Sequence, residues 1–75
     1  MTIDLKRLKA ERIAKGLTQD EMAEKMGWKT RTPYAKRENG IVNIGADELA
    51  RMANILGYTP DKLEIFFKPI VPEKE

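Results

Sequence analysis

The sequence has no cysteine, no histidine and no serine. The first absence rules out a disulfide or a thiolate metal site as a staple for the fold. Together the three exclude the Cys/His and Ser/His pairs on which nucleophilic catalysis commonly rests. The carboxylates that remain are scattered along what the spacing predicts to be helix surfaces, so the chain is not expected to be an enzyme, and no metal or cofactor site is expected. No run of apolar residues is long enough to span a bilayer, and the N-terminus lacks the apolar segment of a signal peptide. A soluble cytoplasmic protein with no membrane association is therefore expected. With 75 residues the chain makes one small domain, near the size at which a single core is only just sufficient.

The net charge is only +2 at neutral pH, but the charges are unevenly placed: bases outnumber acids from Met1 to Gly40, and acids outnumber bases from Ile41 onward. This division points to one face for a polyanion and another for something else. Taken alone, it fits ordinary solvated surface charge equally well.

Apolar residues at helical spacing, with start and stop signals between them, divide the chain into five helices. Leu5, Leu8 and Arg12 fall on one stripe, with Ile13 beside it, and predict a first helix from about Asp4 to Lys15 that stops at Gly16. Thr18 with Glu21 three residues on is a capping box for a second helix. Met22, Ala23 and Met26 form its buried stripe, and Gly27 ends it at positive φ. Thr30 or Thr32 caps a third helix, with Pro33 at its first or third position. That helix runs through Tyr34 to about Glu38 and stops at Asn39-Gly40. Gly45 caps a fourth helix, whose inner face is Leu49, Met52, Ala53 and Leu56 and whose end is Gly57. Thr59-Pro60 opens a fifth, which carries Leu63, Ile65, Phe66 and Phe67; Pro69 and Pro72 then prevent regular structure. The domain is accordingly residues 1–67, followed by a short Pro-containing tail, 68–75.

The stretch Thr18 to Gly40, TQDEMAEKMGWKTRTPYAKRENG, places two short helices around a tight turn and loads the second with positive charge. That is the outline of a helix-turn-helix, which sets one helix in the major groove of DNA. In its details the chain resembles the Cro/repressor-type helix-turn-helix family, also called the xenobiotic-response-element family. The resemblance is carried by Arg12, by GLTQDEMAEKMG from Gly16 to Gly27, by Glu38-Asn39-Gly40 and by LARMANILG from Leu49 to Gly57. These blocks stand in order and at family spacing over roughly Leu5 to Leu63. The resemblance implies an all-α, five-helix, lambda-repressor-like domain that binds operator DNA, usually as a homodimer, to regulate transcription. Two departures stand out. One residue more than the commonest family spacing lies between Gly27 and Glu38, assigned to the Trp28-Lys29 turn, which leaves the register of the third helix open by one position. Arg37 stands where the family often has an apolar residue. Either its aliphatic stem covers the core edge with its head in water, or the helix packs at a shifted angle.

The third helix supplies the candidates for base reading. Arg31 lies at its N-terminal end, and Thr32 and Lys36, four residues apart, share a face. Arg or Lys can pair with guanine O6 and N7, and Thr can donate or offer its methyl to thymine. Gln19, where family members bind phosphate, is expected to contact the DNA backbone, as are the flanking Lys29 and Asn39. The resemblance further implies a partly buried ion pair between Arg12 and Glu38 that orients the recognition helix. Trp28 is expected to pack in the turn, or else to act as a wedge near the sugar-phosphate backbone. Tyr34 is expected in the core with its hydroxyl at the surface, and Met22, Met26 and Met52 as core filling.

The expected function is that of a sequence-specific duplex-DNA regulator, most simply a repressor or a controller of its own operon. The alternative is an antitoxin-like module that binds a protein partner as well as its own promoter. A homodimer is expected, its interface built from Phe66, Phe67, Ile70 and Val71. The apolar bulk after the fourth helix exceeds what one short helix buries beneath itself, so either the tail folds back to close the core or the excess pairs with a second copy.

Overall fold

Five helical segments and a two-stranded ribbon account for residues 2–68, the part of the chain that the computed structural model describes. In order they are β1 (Thr2–Ile3), α1 (Leu5–Ala14), α2 (Gln19–Met26), α3 (Thr32–Glu38), α4 (Ala46–Ile55), a 3₁₀ helix (Pro60–Phe66) and β2 (Phe67–Lys68).

Local chemistry sets the ends of the first two helices. Asp4 is extended, and its carboxylate accepts the Arg7 N–H at 3.1 Å to start α1. The Thr18 hydroxyl accepts the Glu21 N–H at 3.0 Å while the Glu21 carboxylate accepts the Thr18 N–H at 2.9 Å, so both halves of the capping box form at α2. Gly27 ends α2 at φ +92°, in the left-handed region that disfavours any residue with a Cβ. The reversal lets the Trp28 N–H reach the Ala23 carbonyl at 3.0 Å.

Every helix contributes to one core. Leu8 comes from α1, Met22, Ala23 and Met26 from α2, Tyr34 from α3, and Leu49, Met52 and Ala53 from α4, with Leu56 at its end. The buried stripe of α1 is Leu8 and Arg12, and Ile13 is 57% exposed rather than at its edge. Five residues on from Leu8, Ile13 is rotated well past the core-facing side of a 3.6-residue helix.

The C-terminal part departs most from expectation. The fifth helix is 3₁₀, and it runs directly into β2, which pairs antiparallel with β1 in the register Thr2↔Lys68 and Ile3↔Phe67. The Asp4 N–H donates to the Phe66 carbonyl at 2.7 Å just beyond this ribbon. Lys68 thus belongs to the folded unit, one residue past the boundary expected at 67.

Phe66, expected at a subunit interface, is fully buried. Its ring meets Tyr58 edge-on, with centroids 5.5 Å apart and planes at 87°. The 3₁₀ helix packs on α1 and α4, and those two helices supply the cover that one short helix lacks. Phe67 is half-buried in the ribbon, and the other two expected interface residues, Ile70 and Val71, lie outside the described residues. A core role has a measurable signature. Phe66→Ala should cost about 3–5 kcal/mol in urea denaturation, and the loss should not change with protein concentration. A loss that disappears on dilution would return Phe66 to an interface.

Candidate nucleic-acid interface

The turn between α2 and α3 spans residues 27–31, and α3 begins at Thr32. Neither threonine caps it. Arg31 precedes the helix in an already helical conformation, φ −69° and ψ −28°, with no side-chain cap, and Pro33 follows Thr32 in the first turn. Pro33 brings a fixed φ and needs no N–H partner at that position, which offsets the missing cap. This fixes the register left open by the longer turn. Thr32, Lys36 and Asn39, at i, i+4 and i+7, lie along one side of α3 and its end, and all three are exposed. Tyr34 and Glu38 point the other way and are buried. Arg31 and Lys29 are exposed at the N-terminal end of the helix and in the turn.

The buried side of α3 is held by one carboxylate. Arg12 Nε donates to Glu38 Oε2 at 2.8 Å and Arg12 Nη2 to Oε1 at 3.0 Å, a two-pronged pair in which both side chains are almost wholly buried. The Tyr34 hydroxyl donates to Oε2 at 2.6 Å and Gln19 Nε2 to Oε1 at 3.0 Å. Arg12 Nη1 donates to the Leu17 carbonyl at 2.7 Å, in the approach to α2. Burial by itself would push the Glu38 carboxyl up; the hydrogen bonds from Arg12, Tyr34 and Gln19 outweigh it and hold the group below the usual carboxylate range. The Tyr34 hydroxyl is pushed far up by burial and by its bond to Glu38, so it stays a donor at any ordinary pH.

This network settles several expectations. The Arg12–Glu38 pair forms. Tyr34 is a core residue, but its hydroxyl is buried on Glu38 and not at the surface, because it sits four residues, one helical turn, before that carboxylate. The Gln19 side-chain amide is turned inward, and one of its two N–H donors is taken by Glu38. Its other amide N–H and its backbone N–H, at the start of α2 where no intrahelical acceptor exists, are left without a partner in this network. The i, i+4 spacing of Tyr34 and Glu38 was a visible signal for the hydroxyl contact. Nothing in the sequence marked the Gln19 amide.

Arg37 resolves differently from either expectation. Its Nε donates to Glu48 Oε1 at 2.9 Å, its Nη1 to the Pro33 carbonyl at 2.8 Å, and its guanidinium stacks 4.6 Å from the centre of the Trp28 ring. Its head is thus bound within the protein rather than in water. Glu48 also accepts the Gly45 N–H at 3.0 Å, which starts α4. The hydrogen bond from Arg37 holds the Glu48 carboxyl below its ordinary range. Trp28 is half-buried against the core, the packing role expected for it. A further arginine not singled out from sequence, Arg51, donates to the Met26 carbonyl at 2.8 Å and closes the C-terminal end of α2.

The basic residues therefore divide. Arg12 and Arg37 are consumed by internal carboxylates, whereas Lys25, Lys29, Arg31 and Lys36 have no carboxylate within ion-pair distance among the described residues. Among those same residues no group of three acidic side chains is placed to hold a metal ion, and no helix is long and apolar enough to cross a membrane.

A capped α2, a short turn, and an α3 with one face locked and the other exposed and basic together define a helix-turn-helix DNA-binding domain. The chain matches the helix-turn-helix family over residues 8–63, about three quarters of its length, and it belongs to that family, in its Cro/repressor-type (xenobiotic-response-element) branch. The family consists of non-enzymatic DNA-binding domains. No curated protein and no solved structure matches the chain.

Two measurements test the buried network. Arg12→Ala and Glu38→Ala should each cost about 3–5 kcal/mol, because each strands a buried partner. The double change should cost less than the two together, by about 0.5–3 kcal/mol of coupling, and simple additivity would remove the pair. The Glu38 carboxyl is lowered in the folded state, so its contribution is fully present above its unfolded pKa of about 4.3. It is lost as pH falls through the lower, folded value. Urea titrations below about pH 4.5 should show stability falling more steeply for the wild type than for Glu38→Gln, and equal slopes would contradict the assignment.

Proposed function

We propose that this protein is a sequence-specific transcription regulator that inserts α3 into the major groove of operator DNA. The observation that supports it most is the asymmetry of α3. Tyr34 and Glu38 are locked into the core, while Thr32 and Lys36 stand exposed on the other side, with exposed Arg31 leading. Arg31 and Lys36 then pair with guanine edges and Thr32 meets a thymine methyl or a base acceptor. Lys29, Asn39 and the Gln19 backbone N–H hold phosphates and set the register on the duplex without reading sequence. A two-fold dimer would present two such helices to half-sites about 34 Å apart. Repression, including of its own operon, is the simplest outcome, because a bound domain occludes the DNA it covers.

Selection of bound sequences from random duplexes should return a consensus. Arg31→Ala should then cost about 1–3 kcal/mol on that consensus and relax preference at one base pair. Lys29→Ala should weaken binding to all sequences alike and reduce the log–log salt slope by about 0.9. A selection that returns no consensus would overturn the sequence-specific function, and an equal loss on specific and random DNA would demote Arg31 to a phosphate contact.

A further inference from the structure

Arg31, the residue that leads α3, sits in a stretch with little backbone support. The Trp28 N–H donates to the Ala23 carbonyl at 3.0 Å at one end, and the Arg31 carbonyl accepts the Ala35 N–H at 2.9 Å at the other. Lys29 and Thr30, between them, form no backbone hydrogen bond among the described residues, and no side chain caps α3.

Two contacts hold this stretch, and both come from Arg37. Its guanidinium lies 4.6 Å from the centre of the Trp28 ring, before Arg31 in the chain. Its Nη1 donates to the Pro33 carbonyl at 2.8 Å, after Arg31. Lys29, Thr30, Arg31 and Thr32 therefore lie between two attachment points on one rigid, planar group. That group is itself held: Nε donates to Glu48 Oε1 at 2.9 Å, and the same oxygen accepts the Gly45 N–H that starts α4. The Arg37 side chain is only 18% exposed. A guanidinium uses its face and its edge at once, which the single ammonium of a lysine does not reproduce.

We propose that Arg37 is a positioning residue for base recognition: it touches no DNA, and it fixes the path from Trp28 to Pro33 so that Arg31 and Thr32 meet the groove in one register. The proposal deepens the sequence-specific reading above and rests on it. Pairing an arginine with a guanine edge needs two N–H groups placed together, whereas phosphate contacts position the protein without reading sequence. A stretch freed from Arg37 must be ordered anew at each binding event. Discrimination between sequences is then lost before affinity for DNA in general.

Two variants of the full-length protein test this. Arg37→Ala combined with Glu48→Gln removes one base and one acid together, so the net charge stays the same, and glutamine still accepts the Gly45 N–H. Without DNA, the fluorescence of Trp28, the only tryptophan, should shift to the red and be quenched more readily by acrylamide, with the helical circular dichroism unchanged. On duplexes selected by the wild type, the ratio of consensus to random-DNA affinity should fall about fivefold or more. Affinity for random DNA and the log–log salt slope should stay as they are, because no phosphate contact is lost. Arg31→Ala should cost fewer-fold on the consensus in this background than in the wild type. Arg37→Lys, which keeps the charge, should lower the same ratio, and it decides alone where the double variant does not fold. An unchanged ratio in both variants overturns the proposal, as does unchanged quenching of Trp28. So does an equal loss on both DNAs with a slope reduced by about 0.9, which makes Arg37 a phosphate contact. A wild type with no consensus fails the sequence-specific function and this proposal with it, whereas a consensus with an unmoved ratio fails the role of Arg37 alone.

Discussion

The position of α3 depends on the carboxylate of Glu38. Its two oxygens accept four hydrogen bonds, two from Arg12 on α1, one from Gln19 on α2 and one from Tyr34 on α3 itself. Three helices thus meet at one charged group with its acceptor positions filled. A buried ion pair adds little net stability over a well-packed apolar substitute. What it adds is direction, because each donor must approach along a restricted angle. An apolar contact at this point would let α3 rotate or slide against α1 and α2, whereas the four-bond arrangement has one geometry. The exposed face of α3 is aimed by what happens on its buried face.

A second set of contacts secures the last turn of the same helix on another side. Arg37 joins the last turn of α3 to the start of α4 through Glu48 and to the turn before α3 through Trp28. The cluster of basic residues in this part of the sequence is therefore two populations with different tasks. Arg12 and Arg37 are internal fasteners, and Lys29, Arg31 and Lys36 keep their charge for the outside. Charge counts along a sequence do not separate them. The separation needs the positions of Glu38 and Glu48, which lie on other helices or at the far end of α3.

Much of the fold was legible because it is written locally. The Thr18–Glu21 box, the glycine stops at Gly16, Gly27 and Gly57, and the apolar periodicity of α2 and α4 all act within a few residues, and each appears as expected. The paired Arg12 and Glu38 were accessible only through family resemblance, since nothing near either residue marks the other, 26 positions away. What escaped was non-local or too short for a period. A two-residue strand has no alternation to detect, so β1 and β2 left no trace, and with them went the position of Phe66. The start of α3 escaped because Thr30 and Thr32 are both good caps, and helix packing used neither. Ile13 was drawn toward the core by its chemistry, though its angle on α1 faces solvent.

The ribbon between Thr2–Ile3 and Phe67–Lys68 has a consequence for how the protein is made. Chains emerge from the ribosome N-terminus first, so α1 to α4, including both helices of the DNA-binding motif, are exposed before Phe66 is available. Until then the space that Phe66 fills beside α1 and α4 is an open apolar hollow, and β1 has no strand to pair with. Joining segments so far apart in sequence adds only a slowly growing entropic cost, but it cannot begin before the later segment exists. The nascent domain therefore waits, its core unfinished, for Phe66. That interval is when a small helical chain of this kind is most open to chaperones and to aggregation.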